Sequence, residues 1–214
     1  MVQLLASRPS IANQFLKELR DEVIQKDRSR FRRNVERLGE IMAVEISKQL
    51  PYRAESVVTP LGTATVQTPA ASPVLIAILR AGLPYFNGFQ NYFDEADCGF
   101  IGAYRHEGEA EITIKMDYLA APSVAGRIVI LIDPMLATGK SISDAVKVLS
   151  KHGTPAHVHV AALVAAPEGV QYLAQALQVP HTVWAFVQDE KLDPRSYIVP
   201  GLGDAGDLSF GEKR

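Results

Sequence analysis

The chain has 214 residues, 47% of them hydrophobic and 21% charged, which excludes disorder, collagen or a disulfide scaffold as whole-chain readings and leaves enough length to bury a core. Lys plus Arg (22) against Asp plus Glu (24) gives a net charge of -2, so nothing global attracts nucleic acid or an anionic membrane, and an anionic ligand needs a local site. The single cysteine, Cys98, allows neither an intrachain disulfide nor a zinc-type cysteine pair.

Ser10, after Pro9, predicts a helix N-cap, and Ile11, Phe15, Leu19 and Val23 recur behind it at helical spacing. Asp27 and Ser29 punctuate. Phe31, Val35, Leu38, Met42 and Ile46 mark a second helix ending before Pro51. Arg28, Arg30, Arg32, Arg33 and Arg37 sit among Glu36, Glu40 and Glu45 without interleaved aromatics, which reads as a solvated face rather than a nucleic-acid surface. Short strands are predicted at 56–59 and 64–68, around Pro60 and Gly62. Residues 74–79, VLIAIL, are apolar on both faces, as in a buried parallel strand, and 84–92 predict the following helix. Strands at 100–104 and 111–118 bracket His106, Glu107, Gly108 and Glu109. Ile112, Ile114 and Met116 alternate there with Thr113, Lys115 and Asp117, predicting a hairpin with one wet face that projects from the main sheet. Then come a strand at 128–132, a helix at 141–151, a strand at 158–164, a helix at 169–177 and a strand at 183–187; the Gly-, Pro- and Asp-rich tail from Asp189 reads as loop.

Strands alternating with helices at this spacing predict an α/β fold with a parallel β-sheet core flanked by helices. No linker divides the chain, so residues 1–214 are expected to form one domain. No apolar run reaches the roughly 18 residues needed to span a bilayer. The first ten residues carry no apolar stretch behind a basic flank, so cytoplasm is the expected location.

In open α/β sheets, ligands bind beyond the carboxyl ends of the strands. There this sequence places Arg80-Ala81-Gly82, the segment 133–141, Ala165-Ala166-Pro167-Glu168-Gly169 and Gln188-Asp189-Glu190. The segment Asp133, Pro134, Met135, Leu136, Ala137, Thr138, Gly139, Lys140 and Ser141 lies where strand becomes helix. Helix N-terminal N–H groups favour an anion, Thr138 and Ser141 add hydroxyls, and Gly139 permits close approach, so a phosphate monoester fits. Asp133 could accept hydrogen bonds from sugar hydroxyls. Gly139-Lys140-Ser141 resembles part of a P-loop, but the position needing the first glycine holds Pro134. The plain alternative is a capped strand-to-helix turn. His157 and His159 could share a strand face, but no carboxylate or Cys spacing completes a metal site. Gly-x-Ser-x-Gly is absent, and Trp184 and Phe186 read as core.

The segment 133–139, DPMLATG, resembles the phosphoribosyl-diphosphate loop of type I phosphoribosyltransferases, in the form seen in uracil phosphoribosyltransferases. Many members of that superfamily carry two adjacent acidic residues where this chain has Asp133-Pro134. The likeness extends to ILRAGL at 78–83, Tyr104-Arg105, LVAAPEGV at 163–170 and YIVPGLGDAGD at 197–207; Leu19-Arg20-Asp21 and Phe31-Arg32 fit more weakly. Many uracil enzymes have a second glycine where Lys140 stands, and the stretch between Arg105 and Lys115 is unlike the common form.

The resemblance implies a hood built from the N-terminal helices and C-terminal loop, with the hairpin as an arm. It implies transfer of 5-phosphoribosyl from 5-phospho-α-D-ribose 1-diphosphate to uracil N1, giving UMP and pyrophosphate in pyrimidine salvage. Residues 133–141 would hold the 5′-phosphate and ribose. Arg80 and Arg105 would meet the pyrophosphate through charge-assisted bonds. Asp204 would lie near the diphosphate with its Mg2+, through a metal-bound water, with no other protein ligand expected. Ile198, Gly203, Asp204 and Ala205 would read uracil. Asp204, Arg80 and Arg105 are thus the catalytic candidates, uracil and the ribosyl diphosphate the partners, and a homodimer or higher homo-oligomer the expected state. The alternative is a non-catalytic sensor of the ribosyl diphosphate or a nucleotide on the same fold.

Overall fold

The computed structural model describes residues 2–106 and 113–212, and their side chains except those of 103–117. In chain order the elements are β1 (Val2–Leu4), α1 (Ile11–Arg20), α2 (Arg28–Ser47), β2 (Tyr52–Thr59), β3 (Gly62–Pro69), β4 (Val74–Leu79), α3 (Gly82–Gln90), β5 (Asp97–His106), β6 (Thr113–Ala120) and β7 (Ile128–Ile132). Then follow β8 (Met135–Leu136), α4 (Lys140–Leu149), β9 (His157–Ala161), β10 (Val164–Ala165), α5 (Pro167–Ala176), β11 (His181–Ala185), β12 (Val187–Gln188), β13 (Lys191–Leu192), β14 (Ile198–Val199) and α6 (Ala205–Phe210).

The seven-stranded sheet runs β1-β11-β9-β7-β4-β5-β6, and every pairing is parallel except β5 with β6. Alternate residues of the central strands feed two cores, which is why these strands are apolar on both faces. Leu75, Ala77, Ile130, Ile132 and Trp184 pack under α1, α2 and α3 with Leu19, Leu38 and Phe89. Val74, Ile76, Val129, Leu131 and Val160 pack under α4 and α5 with Ile142, Val146 and Leu173. Each fully buried Leu, Ile or Phe contributes about 1.5–3 kcal/mol. Trp184 and Phe186 lie in the first core, as predicted.

Ser10 caps α1, but the helix stops at Arg20 rather than Val23. The Asp21 carboxylate accepts from the Val23 and Ile24 N–H groups and turns the chain. Ile11 and Val23 are exposed, while Ala12, Leu16 and Leu19 form the buried stripe. The sequence reading also misses β1, a short edge strand that pairs with β11.

The hairpin expected to project is joined to the sheet: β5 pairs with β4 from Asp97 to Gly102, and only beyond Gly102, where the register shifts, does it outrun β4. Its turn, with Glu107, Gly108 and Glu109, lies outside the described residues. A second hairpin, β2–β3, forms a two-stranded sheet of its own, with Val58 86% and Leu61 101% exposed. Among the described residues no helix is long and apolar enough to cross a membrane.

Candidate active site

The sheet does not end cleanly at its carboxyl rim. The chain breaks step after β7, β9 and β11, then pairs again as a short parallel sheet, β12-β10-β8. This divides the strands predicted at 158–164 and 183–187 in two. Leu163 N–H and Val164 N–H both reach the Pro134 carbonyl, at 2.9 and 3.2 Å, and Ala166 N–H reaches that of Leu136 at 2.8 Å. The first half of the loop 133–141 is thereby fixed by its backbone. Leu136 is fully buried and its carbonyl is taken by Ala166 N–H, so it shapes the loop from within.

Asp133 is half-buried at the end of β7, and its Oδ1 accepts from Met135 N–H at 3.2 Å. Gly139 begins α4 with φ +76, and a Cβ there would sit 2.9 Å from the Gly169 carbonyl, so conformation and space both demand glycine. Thr138 Oγ1 accepts from Lys140 N–H at 3.4 Å. The first-turn N–H groups of α4, with no carbonyl four residues back in the helix, present its positive end at this loop. Ser141 is half-buried and Lys140 exposed there.

Arg80 follows β4 through a cis peptide from Leu79. Its Nη2 donates to Asp207 Oδ1 at 3.1 Å and to the Gly211 carbonyl at 3.2 Å, while its buried Nε has no partner. A Cβ on Gly82 would lie 2.8 Å from the Ile132 carbonyl, and one on Gly206 3.9 Å from Ala81 Cβ. The segment 80–82 therefore lies between the end of β7 and the start of α6. Asp204 is exposed and caps α6, its Oδ1 accepting from Asp207 N–H at 2.9 Å. Ala205 is buried beneath it. Arg105 stands on the outer part of β5, and its side chain lies outside the described residues.

The tail read as loop is partly ordered pairing. Leu192 pairs with Ile198 and Lys191 with Val199, Ile198 is buried, and Val199–Pro200 is cis. Gly201 (φ +59) and Gly203 (φ +93) turn the chain toward Asp204. Three contributors went unassigned in the sequence reading: Arg20, Asp189 and Asp207. Asp189 bonds both Arg20 Nη2 and Gly201 N–H, and Asp207 takes Arg80. The place of Asp189, directly after a buried strand, was a signal, while Arg20 and Asp207 stood only within segments that resemble the family, with no role attached.

His157 and His159 do share a face, with ring centroids 4.6 Å apart. His157 Nε2 meets Thr182 Oγ1 at 3.0 Å, and His159 Nδ1 accepts from Trp184 Nε1 at 3.1 Å. Burial, and secondarily His157, lowers the His159 pKa to about 4 and keeps that ring neutral.

The sequence profile of the uracil phosphoribosyltransferase family matches residues 6–212. The uracil phosphoribosyltransferase of Porphyromonas gingivalis is 46% identical over 210 residues, 98% of this chain and 97% of that protein. That of Methanothermobacter thermautotrophicus is 40% identical over 187 residues, 86% of this chain and 85% of that protein. The solved structure of the AQ2163 protein from Aquifex aeolicus superimposes with a TM-score of 0.86 at 28% identity, covering 99% of this chain and 98% of that one. A match running from before α1 to beyond α6, with relatives 46% and 40% identical, makes this chain a member of the uracil phosphoribosyltransferase family.

Proposed function

We propose that this protein transfers the 5-phosphoribosyl group from its 1-diphosphate to N1 of uracil, releasing pyrophosphate and yielding UMP, with residues 1–214 acting as one domain. The observation that carries this is the meeting of three segments at one rim: the α4 loop, the segment carrying Arg80, and the turn leading into Asp204. A phosphate, a leaving diphosphate and a base need such neighbouring sites.

The loop 133–141 holds the 5′-phosphate with the first turn of α4 and the Thr138 and Ser141 hydroxyls, while Asp133 orients the ribose. Arg80, with a buried unpartnered Nε and an exchangeable Asp207 contact, takes the pyrophosphate as negative charge develops on it. Arg105, on the outer part of β5, is the second residue assigned to the pyrophosphate. Ile198, Gly203, Asp204 and Ala205 line the base, whose N3–H and flanking carbonyls match backbone acceptors and donors. Holding uracil in line with the ribosyl carbon supplies the positional part of the catalysis. Mg2+ supplies charge stabilisation on the diphosphate when bound. The donor set suits an ion held mainly by substrate oxygens: among the described residues no three His, Cys, Asp or Glu cluster as a cage, and Asp204 offers one exposed carboxylate.

The proposed location is the cytoplasm and the proposed state a homodimer or higher oligomer. The bare Val58 and Leu61 of the β2–β3 ribbon and the exposed Ile11 and Val23 supply apolar surface for it. Sedimentation of Leu61→Asp beside the parent chain tests this, and loss of the larger species is expected.

The deciding experiment measures pyrophosphate release from the ribosyl diphosphate with Mg2+, comparing uracil, orotate, cytosine, hypoxanthine and no base. Uracil-dependent release with UMP formed is expected. Binding of the diphosphate without release under any base would make the protein a sensor instead.

A further inference from the structure

Asp189 stands directly after β12, and both of its carboxylate oxygens are engaged. Oδ1 accepts from Arg20 Nη2 at 2.8 Å and Oδ2 from Gly201 N–H at 2.8 Å. Its N–H is bound to the Ala165 carbonyl at 2.8 Å, which fixes it to the short sheet that also carries Met135–Leu136. The carboxylate side chain is 8% exposed and that of Arg20 23%. One nearly buried charge thus joins the end of α1, the sheet rim and the turn after β14.

A second tie runs in parallel. With its amide turned so that nitrogen faces carbonyls, Gln25 donates to Leu19 O at 3.2 Å and Leu202 O at 2.8 Å. Both ties come from the N-terminal segment, and both end on main-chain atoms of residues 201–202. These residues lie between the buried Ile198 and the exposed Gly203 and Asp204. A turn that recognises a base through its own N–H and C=O groups must be held to within about half an ångström. Gly201 has φ +59 and no side chain to lock it, so the lock must come from elsewhere.

We propose that Arg20 and Asp189 are a positioning pair that presets the turn at 198–205 for the base, so that α1 governs uracil affinity without touching uracil. This rests on the reading that this turn binds uracil. Arg20 holds the carboxylate in place, and the carboxylate holds Gly201 N–H. Removing either partner frees the turn while leaving the α4 loop, whose bonds run through β8 and β10, intact.

The test is steady-state kinetics on the full chain carrying Arg20→Gln, Arg20→Lys or Asp189→Asn, varying uracil and the ribosyl diphosphate separately and recording Tm alongside. Arg20→Gln and Asp189→Asn are expected to raise KM for uracil about tenfold, with KM for the ribosyl diphosphate within about twofold. Arg20→Lys, which keeps the charge, is expected to recover most of the loss. Each variant carries the same test should another fail to fold. A lower Tm with both KM values unchanged, or a parallel rise in both, would overturn the pairing as a base-positioning device. Parent protein showing no uracil-dependent turnover would overturn the functional reading instead, and the two failures are distinguished by that one control.

Discussion

The two ends of the proposed active site are built on opposite plans. The loop 133–141 is contiguous, and its backbone is stitched to β10 within the rim that carries it. The turn at 198–205 is shaped by Asp189, twelve positions before Gly201, through it by Arg20, and directly by Gln25, the last two from the far N-terminal segment. A phosphate needs only a helix end and a few donors, whose geometry one strand-turn-helix can supply. A neutral planar base offers no charge to grip, so its frame must be rigid, and rigidity is drawn from the rest of the fold.

The largest effect is expected at Arg80, proposed to serve the phosphate side but held from the tail by Asp207 and Gly211. Arg80→Ala is expected to lower kcat about 100- to 1000-fold, as loss of a donor to developing charge does. Retention of full turnover would remove Arg80 from the chemistry.

Acid should separate the supports of the two ends. His159 is neutral and buried beneath Trp184, with its pKa lowered from 6.5 to about 4. The stability it contributes is complete above pH 6.5 and is lost as pH falls from 6.5 toward 4, amounting to about 3 kcal/mol. Glu18, which ties α1 to α2 through Arg30 and Asn34, has its pKa lowered from 4.5 to about 2, first by the Arg30 hydrogen bond. Its contribution is present above pH 4.5 and lost only as pH falls toward 2. Chemical denaturation between pH 7 and 4 should therefore show the first loss, and His159→Gln should flatten it.

Gly139→Ala tests the local plan. It forces φ +76 on a residue with a Cβ and pushes that Cβ against the Gly169 carbonyl, at a cost of about 2 kcal/mol. KM for the ribosyl diphosphate should rise, with KM for uracil following only weakly. Gly201→Ala should reverse the pattern.

The same contrast explains what could be read in advance. VLIAIL and IVILI state their burial on both faces, and DPMLATG is followed by a helix, so the sheet and the strand-to-helix turn at 133–141 were legible. Arg20 looks like any surface arginine closing an amphipathic helix. Its partner lies 169 positions away, and no local pattern records such a bond. The split of the rim strands was hidden for a related reason: ALVAA after HVHVA continues the apolar texture, and it is the Pro134 carbonyl, taking both Leu163 and Val164 N–H, that draws the chain into the second sheet. How much of the arm lies on the sheet reflects pairing that periodicity does not encode. Strand texture marked both 56–68 and 100–118, yet β5 finds β4 as a neighbour while β2–β3 pairs only with itself.

The smallest effect is expected at Lys140. Its ammonium is exposed on the first residue of α4, where the positive helix end disfavours a cation by about 0.3–1 kcal/mol. Bound phosphate reverses that sign, so the residue is mildly unfavourable without ligand and favourable with it. An exposed ammonium acts as a point charge rather than a fork, so its reach depends on salt. Lys140→Gly should raise KM for the ribosyl diphosphate about threefold at low ionic strength, and the difference should vanish near 1 M salt, where the Debye length is about 3 Å. KM for uracil should not move in either condition, because the turn at 198–205 is set from Arg20 and Asp189 and not from α4. A salt-insensitive loss, or a change in the base accepted, would mean that Lys140 shapes the loop itself.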